Sequence, residues 1–449
     1  MPELPEVETV KLKLEPFIIG KTIKSLDIFY DKYLELKVIQ GETINKIDRL
    51  GKYLIFTLDN YKVVSHLRME GKYRIKDLDY KKEKHDLVFF NFDSFRLVYN
   101  DTRKFGVFHV FGKDIDIYNI EPLVNVGKEP FYISPDEFFN SLHKSHEKIK
   151  TALLNQSIMS GLGNIYADEV LYLSHIHPLR IASSITKEES EILVKSSIDV
   201  LNKAINAGGT TIKSFESFNN ESGHFQSSLL VHLREGERCK MCNNVIRKIK
   251  VNGRSSYFCP TCQKIRDYKT YAITGTYASG KSLALSMLKE KGYMTLSCDD
   301  IYNELFISNN KMKKEIMDEF NTLDKKELRD IVYSSEERNE KLKEITHKYI
   351  LNKLFEEIES SNETKIFIEV PILFESHLEK AFDYSICVYS NREESNFIEK
   401  NVDSNIKEKV DKNQFSKEFK KTHSDYVLYN ISDIENLKNN LSKLLEELN

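Results

Sequence analysis

Three groups of residues in this chain have the types and spacing to do chemistry. Pro2 is small enough for the preceding Met1 to be removed, which leaves a free secondary amine. An α-amino group titrates near about pH 8, so a useful fraction is neutral at pH 7 and can attack a carbon such as a sugar C1′, giving an iminium. Glu3 can give or take a proton beside it, and Pro5 with Glu6 starts a helix whose positive end lies near the amine. The second group is Cys239-Lys240-Met241-Cys242, sixteen residues, then Cys259-Pro260-Thr261-Cys262. That is the spacing of a tetrahedral four-thiolate zinc site, and four thiolates fill the shell, so the metal is structural. The third runs from Gly275 through Thr276, Tyr277, Ala278, Ser279, Gly280 and Lys281 to Ser282. Here backbone amides cradle phosphates, Lys281 reaches their outer oxygens and Ser282 ligates Mg2+. Further on, Asp299 follows a strand-like run and can accept a proton from a substrate hydroxyl beside that loop.

Each group needs a different scaffold. After a short opening helix, residues 22–111 read as strands, with β-rich runs at 53–58, 87–92 and 105–111; the pattern predicts a sandwich or barrel of about eight strands. From 134 to 207 the apolar spacing turns helical: Pro135 marks a start, 162–173 and 187–205 are helices, and Gly208-Gly209 stops the last. Asn164 lies at the start of the 162–173 helix, where a capping side chain and free amides make an anion site. Residues 234–269 hold ten Lys/Arg against three acids. Within them Asn252-Gly253 signals a two-residue hairpin between strands 245–251 and 255–258, which presents Arg254 at its tip. Beyond 269, strands at 271–274, 293–297, 366–370 and 385–389 alternate with long helices, the pattern of a parallel sheet covered by helices. The expected division is therefore 1–130, 131–233, 234–264, a short basic linker at 265–270, and 271–449.

Composition agrees that two kinds of protein are joined. The 449 residues carry a net charge of -3, but the part ending at Ala272 has 40 basic and 35 acidic residues, +5, and the remainder 26 and 34, -8. Of 17 glycines 14 fall in the first part, and two of the other three sit in the phosphate loop, where close backbone approach is needed. With 40% hydrophobic residues and 49 Phe and Tyr the chain is neither disordered nor, lacking a run of eighteen apolar residues, membrane-spanning. Acids near the start exclude a signal peptide, so a cytoplasmic protein with reduced cysteines is expected.

The string PELPEVET at 2–9 resembles the N-terminus of formamidopyrimidine-DNA glycosylases, and the resemblance continues to about residue 264. It is carried by GKYLIF at 51–56, SHLRMEGK at 65–72, EKHD at 83–86, DTRKFG at 101–106, IKTALLNQ at 149–156, GLGNIYADE at 161–169, HP at 177–178, AGGTT at 207–211 and the cysteine quartet. The resemblance implies a β-sandwich, a helix-two-turn-helix domain and a zinc-finger hairpin. It further implies removal of oxidised purines from double-stranded DNA and cutting of the abasic strand, with Pro2, Glu3, Lys52 and Arg254 catalytic. Lys52, His85, Arg103, Lys104, Lys150 and Asn164 match positions that touch the DNA backbone or the reacting nucleotide, and Arg254 matches an arginine that grips the phosphate at the lesion. Met69, Arg103 and Phe105 match the trio that fills the gap left by the flipped nucleotide, which must leave the stack to be reached. Residues 211–226 correspond to the loop over the flipped base.

The last part is similar to dephospho-CoA kinases, through the phosphate loop, Asp299, IxHKYI at 345–350, IEVPILFE at 368–375, a helix at Gln414 and SDYVLYN at 424–430. The resemblance implies a P-loop kinase-like fold that uses ATP and Mg2+ to phosphorylate dephospho-CoA. Gly275, Ala278, Ser279, Gly280, Lys281 and Ser282 would hold ATP, with Asp299 as base. The chain departs where the family shows a DAD triplet, having Ser297, Cys298 and Asp299, and where it shows lid arginines, having none in 393–423. Lysines such as Lys400 substitute as point charges without the bidentate fork. The alternative is a domain that binds nucleotide without turnover. A monomer is expected.

Overall fold

Periodicity explains both halves of the N-terminal architecture. In helix α1 (Leu4–Ile18) Val7, Val10, Leu14 and Ile18 recur at helical spacing and are fully buried. At about 1.5–3 kcal/mol for each such side chain, this stripe is enough to fix the helix, and with it the residues that lead into it. The computed structural model describes residues 1–210, 224–390 and 414–448. They form two compact units, Met1–His232 with Lys248–Phe258, and Leu233–Arg247 with Cys259–Asn449.

In the first unit eight strands form two antiparallel four-stranded sheets, a sandwich. One has the order β1-β6-β7-β5 and the other β2-β3-β4-β8, where β1 is Ser25–Ile28, β2 Ile44–Leu50, β3 Tyr53–Leu58, β4 Tyr61–His66, β5 Lys72–Lys76, β6 Asp86–Asn91, β7 Arg96–Asn100 and β8 Val107–Gly112. Leu54, Phe56, Val63, Val88, Phe90, Tyr99 and Phe108 from both sheets fill the space between them together with α1. Two segments differ from the sequence reading. Residues Asp31–Ile39 form a 3-10 helix between β1 and β2. The last strand starts at Val107 rather than 105, because the Asp101 carboxylate accepts from the amides of Arg103 and Gly106 and closes a turn, with Lys104 at φ 58°.

Helices follow: α2 (Pro135–His143), α3 (Ile149–Leu154), α4 (Asn164–Leu173) and α5 (Lys187–Asn206). Ser134 and Thr186 cap α2 and α5, each paired with a glutamate three residues on. Gly208 and Gly209, both at positive φ, end α5 as expected. Strands β9 (Arg247–Val251) and β10 (Arg254–Phe258) pair as a hairpin whose turn residues Asn252 and Gly253 have φ 46° and 77°. Both are left-handed, as a primed two-residue turn requires.

The second unit is built on a five-stranded sheet of order β12-β13-β11-β14-β15, parallel at every pairing. Its strands are β11 (Lys269–Thr274), β12 (Met294–Ser297), β13 (Lys365–Glu369), β14 (Tyr384–Tyr389) and β15 (Tyr426–Tyr429). The sheet gains β15 from the SDYVLYN segment, which the sequence offered only as a motif. Around it lie α6 (Lys281–Glu290), α7 (Cys298–Ser308), α8 (Asn310–Phe320), α9 (Lys325–Ser334), α10 (Glu336–Ser360), α11 (Lys417–His423) and α12 (Ile434–Glu447). The ribbon base shares this unit's core. Val245 packs in one apolar cluster with Tyr268, Ala272 and Ile366, and Lys264 pairs with Asp383 at 2.7 Å. Among the described residues no helix is long and apolar enough to cross a membrane.

Candidate active sites and zinc centre

At the start of α1 the chain closes a cleft of about 400 Å3 lined by Met1, Pro2, Glu3, Glu6, Met69, Asn164, Thr210, His232 and Arg254, among others. Glu3 is 3% exposed, and its carboxylate accepts from three amides at the head of α4: Gly163 at 2.6 Å, Ile165 at 3.0 Å and Tyr166 at 3.4 Å. This corrects the reading of Asn164. The N-cap is Gly163, and the free amides expected to make an anion site are occupied by Glu3. A carboxylate satisfies those amides and the positive helix end together, which a neutral asparagine does less well. Asn164 instead donates to the Ser255 carbonyl at 3.0 Å, and its buried Oδ1 has no hydrogen-bond partner among the described residues.

Glu6 carries the next layer. It accepts from the Glu3 amide at 2.9 Å, the Tyr166 hydroxyl at 2.5 Å and the Thr210 amide at 2.8 Å. Burial, and then the neighbouring Glu3, raises its pKa above the usual carboxylate value. The chain's terminal amine is pushed the other way, below its ordinary value, by burial that outweighs the pull of Glu3 and Glu6. Two lysines sit beneath the cleft. Lys52 donates to the Leu162 carbonyl at 2.7 Å, and burial lowers its pKa. Lys150 is fully buried, bonded to Asp168 at 2.7 Å and to the Ser255 carbonyl at 2.8 Å. Asp168 also holds His232 Nδ1 at 2.7 Å and the Ser256 hydroxyl at 3.0 Å.

The expected site residues therefore fall into three places. Pro2, Glu3, Met69, Asn164 and Arg254 share the cleft wall. Lys52 and Lys150 lie below it, and their pKa values feel Arg254 and Glu3. His85, Arg103, Lys104 and Phe105 are not on the cleft wall: Arg103 stacks on Phe105 at 4.7 Å, Lys104 on Tyr30 at 5.1 Å, and Phe105 is 51% exposed. Residues 211–223 of the expected loop lie outside the described residues. Sequence reasoning missed His232 and Thr210 as cleft residues, since a lone histidine or threonine carries no spacing signal.

The four cysteines converge. Their Sγ atoms all lie within 4.8 Å of one another, with Cys239–Cys262 at 3.8 Å and Cys242–Cys259 at 3.4 Å. A tetrahedron with Zn–S bonds of about 2.3 Å has edges of about 3.8 Å, so the donor set fits zinc with no position left for water.

In the second unit the loop between β11 and α6 carries Gly275 at φ 151° and Gly280 at φ 100°. A Cβ on Gly275 would lie 2.7 Å from the Val388 carbonyl oxygen, so only glycine fits there. Lys281 is 8% exposed and donates to the Thr276 carbonyl at 2.9 Å; burial lowers its pKa. Asn430, just past β15, holds the Ser279 carbonyl at 2.9 Å. The Ser282 hydroxyl donates to Glu369 at 3.1 Å, at the carboxyl end of β13, and burial raises the pKa of Glu369 and of Asp299. Ser282, Glu369 and Asp299 are the oxygen donors that suit Mg2+ beside a phosphate. Next to them α7, α9 and α10 enclose a cavity of about 430 Å3, lined by Asp299, Lys325, Arg329, Lys343 and His347 among others. The ring of His347 is pushed down to about 3 by burial and by Arg238. Residues 391–413, with Arg392 and Lys400, lie outside the described residues, as does most of the expected lid; Gln414 precedes α11.

Sandwich, helical domain and four-cysteine ribbon together define a DNA-glycosylase type of protein, here with a nucleotide-kinase fold attached. Family models match residues 1–108 (formamidopyrimidine-DNA glycosylase N-terminal domain), 126–216 (its H2TH domain), 236–265 (zinc finger found in FPG and IleRS) and 270–436 (dephospho-CoA kinase). Formamidopyrimidine-DNA glycosylase of Bacillus anthracis is 42% identical over 274 residues, covering 59% of this chain and 99% of the relative. That of Lactococcus lactis subsp. lactis is 43% identical, covering 59% of this chain and all of the relative. Among solved structures, a Lactococcus lactis mutant bound to Fapy-dG-containing DNA matches with TM-score 0.55 at 41% identity, over 59% of this chain and all of that one. The Lactococcus lactis enzyme with abasic-site DNA matches with TM-score 0.54 at 41% identity, over 58% of this chain and 99% of that one. The chain belongs to the formamidopyrimidine-DNA glycosylase family, with a dephospho-CoA kinase domain following in the same polypeptide.

Proposed function

We propose that the first unit excises oxidised purines, such as 8-oxoguanine and formamidopyrimidines, and cleaves the abasic strand, and that the second phosphorylates dephospho-CoA with ATP. The single observation that carries the first reading is Glu3 locked on the head of α4 beside the chain's terminal amine. Once Met1 is removed, the Pro2 amine inherits the burial that lowers the terminal pKa from its ordinary value, which favours the neutral, nucleophilic form. Its lone pair attacks C1′, the C1′–base bond breaks toward the protonated base, the amine's proton leaves, and the resulting aminal opens at C1′–O4′, with O4′ taking up a proton, to give an iminium. Glu3, a fixed carboxylate, stabilises that cation without reorganising. Elimination across C2′–C3′ then expels the 3′ phosphate, for which Arg254 is the ligand at the hairpin tip. Met69, Arg103 and Phe105 fill the vacated stack, His85, Lys104 and Asn164 hold the backbone, and the buried Lys52 and Lys150 act on the reacting nucleotide by their charge from below the cleft. Incubation with duplex containing 8-oxoguanine opposite cytosine plus borohydride should trap a covalent adduct; equal trapping by Pro2→Gly would remove the nucleophile assignment.

For the second unit, the phosphate loop with Lys281, Ser282 and Glu369 receives ATP with Mg2+, and the 430 Å3 cavity receives the acceptor. Asp299, whose pKa is raised by burial, takes the ribose hydroxyl proton as its oxygen attacks the γ-phosphorus and ADP leaves. The cavity's Lys325, Arg329 and Lys343 offer cations to the acceptor's phosphates. ATP and dephospho-CoA should yield coenzyme A, and Lys281→Ala should lower turnover by at least about 1,000-fold. Absence of product from the unaltered protein would leave a nucleotide-binding domain without turnover.

A further inference from the structure

The two family segments meet inside the second unit through several hydrogen bonds, one of which reaches a cavity wall. Arg238, in the zinc-finger segment, donates from Nη2 to Nδ1 of His347, in the kinase segment, at 3.1 Å. His347 lines the acceptor cavity. The guanidinium is held at its root: Arg238 bridges to Val245, whose side chain is in the unit's core, and Nη1 donates to the Asn243 carbonyl at 3.2 Å, just past the first cysteine pair. A second strut runs beside it, from Asn243 Nδ2 to the His377 carbonyl at 2.6 Å, next to Leu378 of the same cavity wall.

We infer that Arg238 is a positioning residue for the kinase acceptor site: by donating to Nδ1 it fixes His347 as the Nε2–H tautomer, which presents a donor to the acceptor molecule. The chemistry leaves little choice. Arginine has five donors, no acceptor and a permanent charge, so the Nδ1 it contacts must carry a lone pair. A neutral ring then bears its one proton on Nε2. Among the described residues the ring makes no other hydrogen bond, so that N–H is available to an oxygen of a nucleotide-like acceptor, a phosphate or amide oxygen. The ribbon thus serves the kinase reaction as well as the hairpin. This inference rests on the kinase reading.

The test uses the zinc-loaded full chain and calorimetric titration with dephospho-CoA and, separately, ATP. In Arg238→Met, dephospho-CoA affinity should fall by about tenfold and ATP affinity by less than about twofold, with KM for the acceptor rising and kcat nearly unchanged. His347→Gln keeps a donor near the Nε2 position and has no tautomer to set, so adding Arg238→Met to it should cost less than about twofold more. Unchanged acceptor affinity in Arg238→Met, equal losses for both ligands, or a full further tenfold loss in the double variant would overturn the inference. Nitrogen-15 spectra of selectively labelled histidine read the tautomer itself. His347 should be Nε2–H in the unaltered protein and lose that preference in Arg238→Met; an Nδ1–H or charged ring in the unaltered protein refutes the assignment whatever the enzyme assays give. If the Nε2–H signature is present but the unaltered protein binds no dephospho-CoA, the kinase reading fails, and the acceptor role with it.

Discussion

Two helices of ten residues, α4 and α6, begin at the two candidate sites, and both start with a glycine at the N-cap. Their positive ends are used in opposite ways. At α4 the amides are filled from within the chain by Glu3, 160 residues earlier in sequence. At α6, among the described residues, no side chain caps the helix, and Asn430 and Lys281 bond carbonyls of the loop before it. The same kind of orphan amides thus hold a carboxylate of the chain itself in one unit and, on the function proposed above, receive a phosphate in the other. A helix N-terminus therefore does not announce its ligand; what occupies it is decided by tertiary structure.

The first test is of the occupied end. Glu3→Gln keeps the shape but removes the charge, so base excision should fall by at least about 100-fold while the fold loses no more than about 2 kcal/mol, read by single-turnover kinetics and thermal melting. A loss of stability without loss of excision would mean that Glu3 serves as a cap and nothing more.

Glycine substitutions sharpen the contrast. Gly163→Ala would set a Cβ 2.3 Å from the Glu3 carboxyl carbon and must displace it, so excision should fall with ATP binding untouched. Gly275→Ala meets backbone, the Val388 carbonyl oxygen at 2.7 Å, and should abolish ATP binding. Gly280→Ala meets only the Asn430 amide nitrogen at 2.4 Å, a side-chain end that can move, though its φ of 100° still strains alanine. Its ATP affinity should fall less than that of Gly275→Ala in equilibrium binding.

The smallest effect compares buried histidines. His66 in the first unit and His347 in the second are both pushed down to about 3, in each case chiefly by burial. Each binds fewer protons folded than unfolded between pH 6.5 and about 3. The stability each contributes is therefore complete above about pH 6.5 and is lost as pH falls through that window, at up to about 1.4 kcal/mol per pH unit. Denaturant midpoints measured from pH 7 to 5 should drop in both units, and His347→Gln should flatten the dependence of the second alone. A pH-independent midpoint would mean that neither ring is buried neutral.

Much of this was legible in the chain. β-Rich runs predicted a sandwich or barrel, cysteine spacing the metal site, Asn252-Gly253 the hairpin and the loop glycines the tight turn between β11 and α6, because each is a local rule acting over a few residues. What stayed hidden was non-local. Asn164 reads as a cap until Glu3 arrives from the other end of the unit, and the Asp101 side chain closes the turn that shortens β8. Arg238 and His347 are 109 residues apart, and no periodicity links them.

The placement of the ribbon base bears on how such a chain can be taken apart. Residues 234–264 read as an appendage of the repair enzyme, yet Val245 lies in the apolar cluster of the second unit, and Arg247, Lys264 and Arg266 bond to Glu359, Asp383 and Ile358 there. A stop codon after residue 264 would strand that face in water, and an internal start at 270 would uncover its counterpart. Neither half can be inherited alone without first rebuilding its surface, so the junction, once formed, resists being undone by a single truncation.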